Sequence, residues 1–219
     1  MDDRRTEDFM LVERMRTGEE SAFGEIMRRY QRPILDFVYR MVGNADTAND
    51  LAQDVFVRVW RGIGRFRRRA DAAFSTWLFQ IARNACIDEI RRRARDPLHA
   101  AVADPVALEQ SPSSNSVASD VVAREIGERV AAAVTSLPED QRTVVVLAEY
   151  DGLSYKEIAA VMSCSVKSVE ARLYRAKQTL RHALRGIAPV IPGIPNDDSA
   201  KVCVRAHEGS NVSTWGGRP

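Results

Sequence analysis

The chemistry-bearing residues gather near the end of the chain, where Ser165, Lys167, Ser168, Glu170, Arg172 and Arg175 fall on the outward side of one basic helical pattern. Arg and Lys can bridge O6 and N7 of guanine, and Glu can accept from N4 of cytosine. This set therefore suits the reading of base edges in duplex DNA. Residues suited to covalent chemistry are not gathered in the same way. His99, His182 and His207 fall in a linker, on a charged helix and in a tail, with no ligand spacing to the cysteines. No GxxxxGK[ST] or GxGxxG segment offers a phosphate cradle. Cys86 lies within a helical pattern and Cys164 in a turn, and both read as small buried fillers rather than nucleophiles. The expectation is a protein that is not an enzyme, with no metal and no cofactor.

The six side chains need a rigid frame, and residues 152–184 supply one. Ser154 caps a short helix over 155–162, with Glu157 three positions on as in a capping box. Ser163, Cys164 and Ser165 make a turn, and a longer basic helix follows over 166–184 with Val166, Val169 and Leu173 inward. This is helix-turn-helix spacing, in which the second helix enters the major groove by its N-terminal end. Two further helices precede it, over 121–136 and 142–151, the latter starting beyond Leu137-Pro138-Glu139.

Earlier in the chain, apolar residues at three-four spacing predict helices over 22–42, 46–63 and 75–93. Pro33 is expected to bend or divide the first, and Gly43-Asn44 to end it. Ser75 is a fair cap for the third. The arginine-rich stretch 64–73 reads as a loop. No strand pattern appears, so the expected fold is all-α: two small helical domains joined by a flexible linker, the second with the helix-turn-helix. The divisions are an N-terminal lead (1–20), a first domain (21–95), a linker (96–119), a second domain (120–186) and a flexible tail (187–219). A linker of about 24 residues spans about 25–30 Å if flexible, so the two domains can reach separate sites.

Net charge is only +2, but its distribution is uneven. Residues 58–95 carry eleven arginines against three acids, and residues 166–186 six basic residues against one acid. Between them, 96–140 has eight acids and two arginines. Two basic blocks around an acidic stretch suit a polyanion held at two points. No run of eighteen apolar residues could span a membrane. The first sixteen residues lack the apolar stretch of a secretory signal. Three widely spaced cysteines fit a reduced, cytoplasmic setting.

Residues 137–184, LPEDQRTVVVLAEYDGLSYKEIAAVMSCSVKSVEARLYRAKQTLRHAL, resemble region 4 of the extracytoplasmic-function sigma factors of the sigma-70 family. DTANDLAQDVFVRVWRGIGRF at 46–66 resembles the family's polymerase-clamp helix, and FSTWLFQIARNACIDEIRRRAR at 74–95 its −10-reading helix. The resemblance covers 21–95 and 120–185 in the family's order. It implies a factor that directs core RNA polymerase to promoters and promotes DNA opening. Asp50, Gln53, Asp54 and Arg58 would meet the β′ clamp, and the second domain the −35 element and the β flap. Near −10, Arg67, Arg68 and Arg69 would hold phosphates, as would Arg91 and Arg92, while Asn84 and Asp88 would bond base edges. These last four share one helical side by i, i+4, i+7, i+8 spacing. Phe66, Phe74 and Trp77 are candidates for base stacking, but Phe74 and Trp77 begin the apolar stripe and read as core packing instead. An anti-sigma protein is an expected partner.

Two departures stand out. The family's Leu-Gly before the recognition-helix turn is Met162-Ser163 here, and the triple arginine at 67–69 is more basic than the common pattern. The tail lies outside the family plan, and its Cys203 has no assigned role. The competing reading is a polymerase-independent helix-turn-helix regulator. That reading needs a dimer interface for paired half-sites, and no apolar helix is left over to make one. A protein–protein adaptor with weak DNA affinity fits the basic blocks less well.

Overall fold

The computed structural model describes residues 3–66, 73–95 and 117–185, with side chains in 5–66, 73–95 and 124–185. Among the described residues every regular element is helical: α1 (Asp3–Arg16), α2 (Glu20–Val42), α3 (Ala45–Gly62), a 3-10 turn (Ile63–Arg65), α4 (Phe74–Arg95), α5 (Val117–Thr135), α6 (Glu139–Val145), a π-helical turn (Val146–Tyr150), α7 (Tyr155–Val161) and α8 (Val166–Ala183). None of these helices is long and apolar enough to cross a membrane.

Helices α2 and α3 form an antiparallel pair joined by two residues. Gly43 stops α2 at φ 72°, its N–H donating to the Tyr39 carbonyl, and Asn44 starts α3 by accepting from the Thr47 N–H at 2.9 Å. Gly43 serves a second purpose, since a Cβ there would stand 3.2 Å from Thr135 Cγ2 of α5. Pro33 lies inside α2 without dividing it. Proline removes one backbone donor, and the buried stripe of Ile26, Tyr30, Ile34, Phe37, Val38 and Met41 carries the helix through. Helix α4 packs across this pair with Phe74, Leu78, Phe79, Ala82, Ala85 and Cys86 buried.

The first twenty residues, expected as a lead, contain α1. Its apolar face is short: Leu11, Val12 and Met15 are buried. A polar anchor supplements it, because buried Asp8 accepts from Arg29 at 2.6 Å and from the Tyr30 hydroxyl. A carboxylate removed from water must be paired in this way, and the pair fixes α1 on α2.

The two halves pack together rather than standing apart as the linker's reach suggested. Buried residues form one continuous cluster from Leu11 to Leu184. Within it lies Arg142 of α6, a buried guanidinium that donates to the Met41 carbonyl of α2, to the Thr135 carbonyl at the end of α5 and to the Leu137 carbonyl just beyond it. Helix α5 begins at Val117, inside the stretch expected as linker, and the rest of that stretch (96–116) lies outside the described residues. The helix expected over 142–151 starts at Glu139 and ends as the π-helical turn. Cys86 is wholly buried, and burial pushes its thiol up to about 12, so it is a packing residue.

Two expectations follow. Arg142→Leu keeps apolar volume but leaves three carbonyls without their donor, which costs about 3 kcal/mol. Thermal unfolding of the full chain is expected to fall by about 6–12 °C. A shift under about 2 °C would mean that water satisfies those carbonyls. The second concerns Asp151, whose buried Oδ2 has no hydrogen-bond partner. Burial pushes its carboxyl up to about 7, against the pull of Arg40 and with the push of Asp36. The native state therefore holds a proton that the unfolded chain has released, between the ordinary carboxylate range and neutrality. Stability is present on the acid side and lost as pH rises through about 7. The melting temperature should fall from about pH 5.5 to about pH 8, and Asp151→Asn should flatten that fall; an equally steep profile in the variant would show the carboxyl to be solvated.

Candidate nucleic-acid and polymerase interfaces

Helix α3 shows one face to solvent. Asp50, Gln53, Asp54 and Arg58 are all exposed, and Asp54 and Arg58 approach to 3.8 Å one turn apart. Two apolar residues join this face. Val57 is 43% exposed and Trp60 38%, the Trp60 ring resting on Phe23 at 5.0 Å between centroids. By three-four spacing Trp60 continues the apolar stripe of Val55, Phe56 and Val59, which are buried, yet Trp60 lies at the stripe's open edge. The signal that pointed outward is Val57, an apolar residue at i+4 from Gln53 and i−3 from Trp60.

Between α3 and α4 lies a shallow groove of about 300 Å³ lined by Arg58, Gly62, Arg65, Trp77, Ile81 and Asn84. Gly62 leaves the indole bare toward this groove, since a Cβ there would rest 3.4 Å from Trp77 Cζ2. Phe66 and Phe74 are buried and pack against Trp77 with tilted rings, at 5.2 and 5.9 Å between centroids. Of the three aromatic candidates for base stacking, only Trp77 therefore reaches an open surface. Arg58, expected on the polymerase face, also forms part of the groove wall.

Along α4, Asn84 and Asp88 are exposed. The arginines have partners within the chain: Arg92 pairs with Glu89 at 2.8 Å, and Arg91 reaches Glu139 of α6 at 3.3 Å. Glu89 also takes Arg93, and these arginines hold its carboxyl below the usual range against the opposing effect of burial. Arg67, Arg68 and Arg69 lie outside the described residues.

The helix-turn-helix is present as expected. Ser154 accepts from the Glu157 N–H, and the Glu157 carboxylate accepts from the Ser154 N–H at 2.9 Å, closing the capping box. The turn passes through Ser163 at φ 52°. This is the left-handed region in which glycine is favoured, and it is where the sequence departs from the family's Leu-Gly. The Ser163 hydroxyl accepts from Gln80 of α4 at 3.3 Å. Ser165 then caps α8, accepting from the Ser168 N–H at 3.2 Å. Its side chain is thereby committed to the helix, while Lys167, Glu170 and Arg175 remain exposed.

Tyr174, 67% exposed, stands on the same face at i+4 from Glu170 and i+7 from Lys167. It was missed because an aromatic in a helical pattern is ordinarily read as core; its spacing from Val169 and Leu173 was the available signal. Arg172 turns partly inward, donating to the Ser168 hydroxyl and pairing with Asp140 at 3.2 Å. The other oxygen of Asp140 takes Arg83 of α4 at 2.9 Å. One carboxylate at the start of α6 thus holds an arginine of the recognition helix and an arginine of α4, a pairing of elements 32 residues apart on one side and 57 on the other.

Residues 26–96 match the family model described as Sigma-70 region 2, and residues 127–180 that of Sigma-70, region 4. The chain is 36% identical over 184 residues to the RNA polymerase sigma-H factor of Pseudomonas aeruginosa, covering 82% of this chain and 94% of that protein. It is 35% identical over 179 residues to the ECF RNA polymerase sigma-E factor of Escherichia coli, covering 79% and 92%. Among solved structures, CnrH in complex with the cytosolic domain of CnrY matches with a TM-score of 0.60 at 28% identity, over 81% of this chain and 97% of that one. The sigma factor RpoE of Bartonella quintana, solved with the anti-sigma factor NepR, shares the fold at a TM-score of 0.59 and 24% identity, over 75% and 97%. With both regions matched in order and its curated relatives covered almost end to end, the chain belongs to the extracytoplasmic-function group of the sigma-70 family, and it is a sigma factor that directs RNA polymerase to promoters rather than an enzyme.

Proposed function

We propose that this sigma factor divides its work between the exposed face of α3, the groove between α3 and α4, and the outward face of α8. Asp50, Gln53 and Asp54 dock on the β′ clamp of core polymerase, with Val57 and Trp60 supplying apolar contact beside them. Aromatic residues and well-placed polar groups of this kind carry most of the affinity in protein interfaces. The groove takes an unpaired base of the non-template strand near −10, with Trp77 beneath it, Asn84 at its edge and Arg58 and Arg65 toward phosphates. Asp88, Arg91 and Arg92 continue that track, and Arg67, Arg68 and Arg69 belong to it by sequence. Extruding a base costs a few kcal/mol, which stacking and backbone contacts must offset.

At −35, Lys167 and Glu170 read base edges, joined by Arg172 once it leaves Asp140 and Ser168. Tyr174 extends the same face, Arg175 holds the DNA backbone, and Ser165 and Ser168 shape the start of the helix that meets it. The observation that carries this reading is α8 itself: its start is capped by Ser165, and its outward residues are Lys167, Glu170, Tyr174 and Arg175. The working units are 21–95 for polymerase and −10, and 120–186 for −35 and the β flap, joined by 96–119 and followed by the tail 187–219. An anti-sigma protein controls the factor in the cytoplasm. Support for that partner comes from the two similar solved structures, one a complex with an anti-sigma factor and the other with a cytosolic domain.

Run-off transcription with sigma-free core polymerase on genomic fragments from the source organism tests the whole assignment. New discrete starts that require this chain are expected, and their aligned upstream sequences give both promoter elements. Tight DNA binding with no new start would instead indicate a polymerase-independent regulator. Gln53→Ala with Asp54→Ala is expected to abolish capture of core polymerase without lowering the melting temperature, since both side chains are exposed; undiminished capture would remove α3 from the docking face. On duplex −35 DNA, Arg175→Ala should weaken all sequences alike and reduce the salt slope by about 1. Lys167→Ala and Arg172→Ala should change the preference at particular base pairs. Uniform behaviour of all three would mean that α8 sits differently in the groove.

A further inference from the structure

The groove between α3 and α4 is held in shape from a distant part of the chain. Arg16, the last residue of α1, donates from Nη2 to the Phe66 carbonyl and from Nε to the Ile63 carbonyl at 3.5 Å. Its remaining nitrogen, Nη1, pairs with Glu13 at 2.7 Å, which holds the guanidinium in place. The two carbonyls bracket the 3-10 turn Ile63–Arg65, which follows α3 directly. That turn carries Arg65, one wall of the groove. Phe66, just beyond it, packs with a tilted ring against Trp77, which also lines the groove.

We propose that Arg16 is a positioning residue for base capture. It clamps both ends of the 3-10 turn, and so sets where Arg65 and the Trp77 ring stand. This rests on the reading of the groove as the site of the unpaired base. The chemistry favours arginine at this point. A planar guanidinium can reach two carbonyls and a carboxylate at once, whereas a lysine ammonium is a single point on a flexible stem. Helix α1 is seated by Asp8, Leu11, Val12 and Met15, so removing the Arg16 head group leaves the helix in place and loosens the turn. The turn then keeps its own Phe66 N–H to Ile63 carbonyl bond and the burial of those two side chains.

The test uses holoenzyme assembled from core polymerase and the full chain, either wild type, Arg16→Ala or Arg16→Lys. The probe is a single-stranded non-template oligonucleotide spanning the −10 element of a start found by run-off transcription, either intact or abasic at one position at a time. Wild type is expected to lose roughly tenfold at the captured position, the worth of one stacked base. Arg16→Ala should bind the intact strand about tenfold more weakly, yet bind the strand abasic at that position as wild type does. Arg16→Lys should fall between them. Affinity for core polymerase and for duplex −35 DNA should not change. Equal weakening on intact and abasic strands, or no weakening on either, overturns the positioning role and leaves the groove reading standing. If wild type shows no abasic penalty at any position, the groove reading fails and the proposal fails with it.

Discussion

The arrangement depends on one buried cation. Helices end with carbonyls that have no partner inside the helix, and here the ends of α2 and α5 are brought together at the centre of the molecule. Arg142 reaches the Met41, Thr135 and Leu137 carbonyls with one guanidinium. Few side chains could do this, because the task needs several donors in a fixed fork and a charge that the negative ends of two helices stabilise. Burial lowers the affinity of Arg142 for its proton, with Glu139 opposing that shift. With α6 fixed in this way, its first turn carries Glu139 and Asp140 to α4.

The acids at the start of α6 then meet arginines that the sequence assigns to nucleic acid or leaves unassigned. Arg91 goes to Glu139, and Arg83 and Arg172 go to Asp140. The carboxylate and guanidinium partners in these pairs keep some contact with solvent. Pairs of that kind are worth about 0–1 kcal/mol, far less than the apolar burial around Arg142. The charges therefore orient side chains between the two halves, and the apolar packing holds the halves together.

In the first half the groove exists because its neighbours are ordered around it. Phe66 and Phe74 are buried against Trp77, which leaves its indole as the aromatic ring open to the groove. Gly62 keeps a side chain away from that ring. The 3-10 turn between Gly62 and Phe66 is tied to α1 through Arg16, so the N-terminal helix contributes to the groove without lining it.

Much of this could be read from the sequence, because much of it is local. Three-four apolar spacing gives α2, α3 and α4, the Ser154/Glu157 capping box gives α7, and the Ser163-Cys164-Ser165 turn gives the entry to α8, since each depends on residues within a turn or two of one another. The helix-turn-helix and the motifs at 46–66 and 74–95 were legible for the same reason, and they carried the family. Other features depended on distant partners. Helix α1 has only a short apolar face and is fixed by Asp8 meeting Arg29 and Tyr30. Phe66 and Trp77 have similar chemistry, and only packing decided which was buried. Tyr174 and Trp60 face outward because of what their neighbours on other helices cover. The contacts of Arg142 and Asp140 between the two halves join positions many residues apart, and no periodicity reports such a contact. Sequence by itself thus determined the amphipathic helices α2 to α4, the helix-turn-helix with its Ser154 and Ser165 caps, and the polar sets they carry, although Ser75, read as a cap, lies inside α4. Tertiary structure decided that α1 is held and which side chains remain free to act, because burial and pairing are properties of neighbours that only folding brings together.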